Sequence, residues 1–145
     1  MMLIRKFVSS DMKAVLQLAE EYASFDGETN ESDFAISGQF PEGFLIAEDN
    51  SKIVGFVFAH FIDVPSSVLS KWGAFKVGEI TLLAVDEKHR KKGVGTALVQ
   101  RVLKELKSSG ADMLLLNCPA EATDARRLYN RIGFEDRAYH MKMKL

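Results

Sequence analysis

Residues 85 to 98, Val-Asp-Glu-Lys-His-Arg-Lys-Lys-Gly-Val-Gly-Thr-Ala-Leu, are the stretch whose residue types and spacing most directly suggest chemistry. An apolar, β-rich run ends there, and a basic, glycine-spaced turn opens a helix. Backbone N–H groups in the first turn of a helix have no intrahelical partner, and Gly93 and Gly95 carry no Cβ, so a phosphate can approach those donors closely. Arg90, Lys91 and Lys92 add positive charge at the same mouth. The turn is not a Rossmann fingerprint, because Arg90 and Lys92 stand where that turn wants a further glycine. It is not a P-loop either, since no Gly-Lys-Ser/Thr follows.

A loop of this kind needs a strand before it and a helix after it, and both are legible. Val77 to Val85 is expected to be a strand leading into the loop. Gly93 to Ser109 is expected to be a helix with Val94, Leu98, Val99, Val102, Leu103 and Leu106 on one face, ended by Gly110. Upstream, Leu3 to Val8 reads as a first strand, and Ser9 or Ser10 can cap a helix carrying Met12, Val15, Leu16, Ala19, Tyr22 and Ala23. Residues 24 to 43 are irregular, with Asp26, Glu28, Glu31 and Asp33 among Phe25, Phe34 and Phe40 and a short helix near Ser32 to Gly38. Gly43 to Glu48 and Lys52 to Ile62 form an antiparallel hairpin around Asp49-Asn50-Ser51, and a polar stretch with Pro65 and two serines follows, with no helix expected before the next strand. Ala111 to Asn117 is a continuous apolar run, expected to be a strand buried on both faces. Thr123 to Arg131 is a short helix stopped by Gly133, and the alternation Tyr139, Met141, Met143, Leu145 predicts a closing strand within Phe134 to Leu145.

At 145 residues and 47% hydrophobic, the chain is expected to form one domain with a real core. Nineteen basic against twenty acidic residues leave a net charge of −1, which argues against a nucleic-acid binder. The single cysteine, Cys118, excludes an internal disulfide, and no leader or membrane-length apolar run is evident, so no membrane partner and a cytoplasmic location are expected. His60, His89 and His140 lack the spacing of a metal site, and no metal is expected.

The spacing Arg90-x-x-Gly93-x-Gly95 between a strand and a helix resembles the acyl-CoA pyrophosphate loop of the GNAT superfamily of N-acetyltransferases. About thirty residues later, Ala-Arg-Arg-Leu-Tyr-Asn-Arg-Ile-Gly-Phe at 125 to 134 resembles that family's Ala-x-x-Leu-Tyr-x-x-x-Gly-Phe segment. The resemblance covers essentially the whole chain. It implies a mixed α+β fold, a central and mostly antiparallel sheet splayed between the fourth and fifth strands and flanked by helices. It also implies acetyl-CoA as cosubstrate. The amides of Lys91, Lys92, Gly93, Val94, Gly95 and Thr96 would take its pyrophosphate, the main chains of Leu83 and Val85 its pantetheine arm, and an N–H near Ala84 and Val85 the developing oxyanion.

By the same resemblance Tyr129 would protonate or hydrogen-bond the departing thiolate, and Glu79 is similar to the glutamate that serves some members as general base. Glu79 can also be read as the solvated end of a strand. Thr81 occupies a place where other members put an acid. Ala122 departs from the asparagine many members carry there, so a contact to the acyl-CoA is lost at that position. Asn117 would either contact the cofactor or cap its strand, while Cys118 reads as a small buried hydrophobe rather than a nucleophile.

The implied reaction is direct attack of a primary amine on the thioester in a ternary complex. The acidic, aromatic segment 24 to 43 suits a small cationic amine acceptor. A protein N-terminus or a lysine side chain is the alternative, and a non-catalytic acyl-CoA-binding regulator is a third, of another class. Trp72 and Phe75 would line the acceptor mouth or form a homodimer contact.

Overall fold

β-branched and aromatic runs along the chain pair into one sheet in a computed structural model that describes residues 1–23 and 27–145. The strands are β1 (Met2–Lys6), β2 (Phe44–Asp49), β3 (Lys52–Ile62), β4 (Val77–Val85) and β5 (Met113–Leu116), in spatial order β1-β2-β3-β4-β5. The first three pairings are antiparallel and β4 with β5 is parallel. The helices are α1 (Met12–Tyr22), α2 (Ser66–Trp72), α3 (Val94–Ser108) and α4 (Thr123–Ile132). The expected short helix in the acidic segment is a 3₁₀ run over Glu31–Gln39, whereas Phe25 and Asp26 lie outside the described residues.

The period of two in β2 divides the core. Phe44 and Ile46 face a cluster with Val15, Leu18 and Ala19 of α1, while Leu45 and Ala47 face Leu98, Val99, Val102 and Leu106 of α3. Each fully buried Leu or Val of α3 contributes about 2 kcal/mol, which holds the helix, and therefore the loop before it, against the sheet.

Two register shifts interrupt the antiparallel ladders. One falls between Ala47 and Glu48 of β2, opposite β3, and the other places two residues of β4, Thr81 and Leu82, where one is expected, since Phe58 pairs with Leu82 but Ala59 with Ile80. A bulge of this kind re-aims side chains and ends regular pairing.

Four local expectations are corrected. No serine caps α1; instead the Asp11 carboxylate accepts from the Val8 N–H at 2.8 Å and from Arg5 at 2.7 and 2.9 Å. The polar stretch after Pro65 is helical, because proline is tolerated at a helix start and Gly73, at φ 67°, supplies the left-handed stop. β5 is half-exposed along its length rather than buried on both faces, since among the described residues it pairs only with β4. Residues 134–145 form no strand, and Tyr139, Met141, Met143 and Leu145 are 78 to 107% exposed. Alternation supplies an apolar face, but a strand forms only where a neighbour's N–H and C=O groups meet it in register, and none does so here.

Candidate active site

β4 and β5 part company halfway along β4. Their pairing runs from Val77 with Met113 to Ile80 with Leu116 and stops, leaving Thr81–Val85 open on that side. The orientation of this free edge follows from one bond. Asp86 N–H donates to the Val54 carbonyl of β3 at 2.8 Å, so by alternation Ala84 turns its main-chain groups toward β3 while Leu83 and Val85 turn theirs toward the gap. Arg90 agrees with this, since its Nε donates to the Val85 carbonyl at 3.2 Å. Leu83 and Val85 therefore stand at the open edge, whereas Ala84 is turned away from it.

The gap leads into the basic loop. Asp86 anchors the loop, with its carboxylate accepting from Lys88 N–H at 3.3 Å and from the Tyr22 hydroxyl at 3.2 Å and lying 3.2 Å from His89 Nδ1. Burial works against ionisation of Asp86, but these donors and the nearby Lys52 charge outweigh it and hold the carboxyl below its ordinary range. His89 also reaches Asp49 at 3.4 Å, and the Arg90 guanidinium lies 4.8 Å from the Tyr22 ring centre. Tyr22, which helical periodicity places in the core, thus ties α1 to the loop.

Past Arg90 the backbone turns through Lys91 at φ 63° and Gly93 at φ 81°, both left-handed. The first helical donation is Ala97 N–H to the Gly93 carbonyl at 2.9 Å, and the N–H groups from Lys91 through Thr96 make no hydrogen bond among the described residues. The two glycines act differently. A Cβ on Gly93 would meet nothing, so its value is conformational; one on Gly95 would stand 2.9 Å from Leu128 Cδ1 and 3.7 Å from Val85 Cγ2, so its value is space between α3, α4 and β4. Lys91 and Lys92 are exposed.

Tyr129 of α4 is buried, with its ring edge-on to Phe134 at 5.7 Å, on the α3 side of the sheet. Burial, with Cys118 adding to it, raises its phenol well above the ordinary range, so at neutral pH it is a proton donor. Cys118 is half-buried, its Sγ 3.7 Å from the Pro119 and Ala122 carbonyls, and burial raises the thiol, which disfavours the nucleophilic thiolate. Asn117 is exposed just beyond β5, and its side chain makes no capping bond among the described residues.

Glu79 lies on the other face of the sheet, opposite His60 in the β3–β4 register. His60 Nε2 is 2.9 Å from Thr81 Oγ1 and 3.9 Å from Glu79 Oε1, and its Nδ1 is 3.0 Å from the Phe61 carbonyl. Metal-ligand spacing leaves His60 out of the site. A lone histidine in an otherwise apolar strand was the available signal, and only strand register says what it meets. A shallow cavity of about 210 Å³ lined by Val64, Leu69, Phe75 and Lys76 lies at the opposite end of β4 from the loop. Phe75 is 90% exposed there, while Trp72 is half-buried with the Arg137 guanidinium 4.6 Å from its ring centre.

An open strand edge continues into a run of unpaired amides, an arrangement whose donors can pair with an extended, phosphate-bearing molecule. Residues 12–134 match the model of the acetyltransferase (GNAT) family, and the chain belongs to that family. The resemblance drawn from residues 90 to 96 and 125 to 134 is thus borne out, as is the mixed, splayed sheet it implies. An uncharacterized N-acetyltransferase of Methanocaldococcus jannaschii is 30% identical over 141 residues, which are 94% of this chain and 80% of that protein. A mycothiol acetyltransferase of Thermobispora bispora is 35% identical over 94 residues, 65% of this chain and 30% of that protein. The chain therefore spans about a third of the length of the mycothiol acetyltransferases it matches. Arabidopsis thaliana Naa50, solved in complex with the bisubstrate analogue CoA-Ac-MVNAL, shares the fold with a TM-score of 0.75 at 19% identity, over 94% of this chain and 85% of that one. Among the described residues no helix is long and apolar enough to cross a membrane, and no group of three or more His, Cys, Asp or Glu is placed to hold a metal.

Proposed function

We propose that this protein transfers an acetyl group from acetyl-CoA to a primary amine by direct attack in a ternary complex. The observation that carries the reading is the continuity of the open β4 edge at Leu83 and Val85 with the unpaired amides of Lys91 through Thr96. A pantetheine arm carries amide groups at the spacing a free strand edge can pair with, and a pyrophosphate suits a helix start flanked by lysines. Gly95 lets α4 pack close to the start of this amide run, because a Cβ there would stand 2.9 Å from Leu128 Cδ1.

In this reading the N–H of Leu83, the nearer of the two to the point where β4 and β5 part, polarises the thioester carbonyl as negative charge develops on its oxygen, while Val85 pairs with the pantetheine arm. Ala84 is excluded from that role by the direction of its main chain. Tyr129, neutral and buried on the α3 side, donates to the sulfur as the carbon–sulfur bond breaks. The attacking amine approaches from the opposite face, where Glu79 offers a carboxylate. Glu79 supplies the negative charge that favours removal of the amine's proton, because an amine with a pKa near 10.4 is about one part in a few thousand neutral at pH 7 and must lose a proton to attack.

A small cationic amine is the acceptor class we favour, because Glu79 and the acidic segment around Glu31 share that side of the protein with the 3₁₀ run that packs on β3. A peptide amine is the second reading, supported by the fold shared with Naa50 and its peptide-bearing bisubstrate analogue. The test is acetyl-CoA turnover, read as thiol release, over polyamines, aminoglycosides, amino acids and peptides. Amine-dependent release of CoA is expected. Tight acetyl-CoA binding with no turnover on any amine would instead make the protein an acyl-CoA-binding regulator.

A further inference from the structure

We propose that Thr81 and His60 form a proton relay that receives the proton of the incoming amine, with Glu79 stabilising the charge that arrives on His60. The inference rests on the acetyl-transfer reading and extends it to two residues that the pattern of the sequence leaves without a task.

Three observations bring the relay together. First, position: Ile80 is the last β4 residue paired with β5, so Thr81 is the first residue at the open edge, and it is exposed. Second, the bulge: two β4 residues, Thr81 and Leu82, stand against the one step between Phe58 and Ala59, which frees Thr81 from the regular ladder and turns its hydroxyl to His60 at 2.9 Å. Third, the tautomer: His60 Nδ1 lies 3.0 Å from the Phe61 carbonyl, an acceptor only, so Nδ1 carries the hydrogen and the neutral ring presents a lone pair at Nε2. The Thr81 hydroxyl therefore donates to His60, and its own oxygen lone pairs are left for an amine N–H.

The step balances without another reactant. An ammonium N–H bond breaks as its proton passes to Thr81 Oγ1, and the Thr81 hydroxyl proton passes to His60 Nε2. The amine becomes neutral and nucleophilic, Thr81 returns to a hydroxyl, and His60 becomes an imidazolium. Glu79 Oε1, 3.9 Å from Nε2, faces that charge across the strand pair, and the side chains are 15% exposed for His60 and 29% for Glu79, enough shelter for the attraction to count. Among the described residues Glu79 is the charged group that faces His60, beside Thr81, the Phe61 carbonyl and the Phe58 ring, whose centre is 5.5 Å from that of the imidazole.

The experiment compares wild type with His60→Gln, Thr81→Val and Thr81→Ser, using whichever polyamine, aminoglycoside, amino acid or peptide amine wild type acetylates fastest. At pH 7, kcat is expected to fall by about 100-fold in His60→Gln and about 10-fold or more in Thr81→Val, the range for a lost proton acceptor, with the KM for acetyl-CoA unchanged. Thr81→Ser restores the hydroxyl and is expected to keep wild-type turnover. The decisive readout is the profile to higher pH. At pH 9.5 roughly a tenth of a lysine-like amine and nearly all of an α-amine is already neutral, so the defects should shrink by about an order of magnitude, whereas a merely structural defect would persist. Defects that do not shrink, or full activity of both His60→Gln and Thr81→Val, overturn the relay while leaving acetyl transfer standing. If His60→Gln does not fold, Thr81→Val against Thr81→Ser makes the same distinction. A wild type that acetylates no amine removes the reading beneath the relay, and the relay with it.

Discussion

On the α3 side of the splayed sheet the cleft is made of main chain: amides from Lys91 through Thr96, the open edge at Leu83 and Val85, and two glycines that shape them. On the α1 side it is made of side chains, His60, Thr81 and Glu79, brought together across β3 and β4. A ligand common to a whole family can be held by backbone, which every sequence possesses and which needs only the right turns and a missing Cβ. An acceptor that differs between members must be met by side chains, which can change without disturbing the ladder beneath them. Tyr129 stands with the first side, and the gap between β4 and β5 is where the two meet.

The largest effect expected is on the main-chain side. Gly95→Trp should weaken acetyl-CoA binding by at least two orders of magnitude in calorimetry, because even a Cβ stands 2.9 Å from Leu128 and an indole must displace the start of α3, which carries the amide run, from α4. Unaltered affinity in a variant that still melts cooperatively would show that this face does not hold the donor.

Tyr129→Phe comes next and sharpens the division of labour. It should lower kcat at pH 7 by one to three orders of magnitude with little change in acceptor KM, as loss of a proton donor does when binding is intact. Full activity would take Tyr129 out of the reaction and leave the α3 side with binding alone.

Asp86→Asn should have the smallest effect and tests whether the loop is held in shape beforehand. The folded carboxyl ionises below its unfolded value near 3.9, so its stabilising contribution is complete above about pH 4 and is lost as pH falls through the lower, folded value. The variant should therefore be less stable by about 1 kcal/mol at pH 7, with the gap from wild type closing toward pH 2 in thermal melts. Its affinity for acetyl-CoA should drop a few-fold, and an unchanged affinity would mean that the ligand shapes the loop instead.

Legibility in the sequence divides along the same line between backbone and side chain. The loop from Arg90 to Thr96 and the segment from Ala125 to Phe134 are contiguous, and their glycines mark backbone conformations that neighbouring residues dictate. The strand preceding the loop and the helix following it were equally legible from apolar periodicity. His60 and Thr81 are 21 residues apart, and Tyr22 and Asp86 are 64 apart. No local pattern joins them, and histidine spacing judged only for metal binding points away from His60. The alternation in Tyr139, Met141, Met143 and Leu145 misled for a related reason, because it describes a face without naming a partner edge.

The sequence by itself determined the family and the strand-loop-helix unit at residues 77 to 108, since each depends on turns, caps and periodicities within a few residues of one another. Only the tertiary structure decided that β5 leaves β4 after Ile80, that Ala84 faces β3 while Leu83 and Val85 face the gap, and that a bulge at Thr81 turns its hydroxyl to His60. Those outcomes depend on register, which is set by the summed packing of two core faces, and a shift of one residue would exchange every side chain between them.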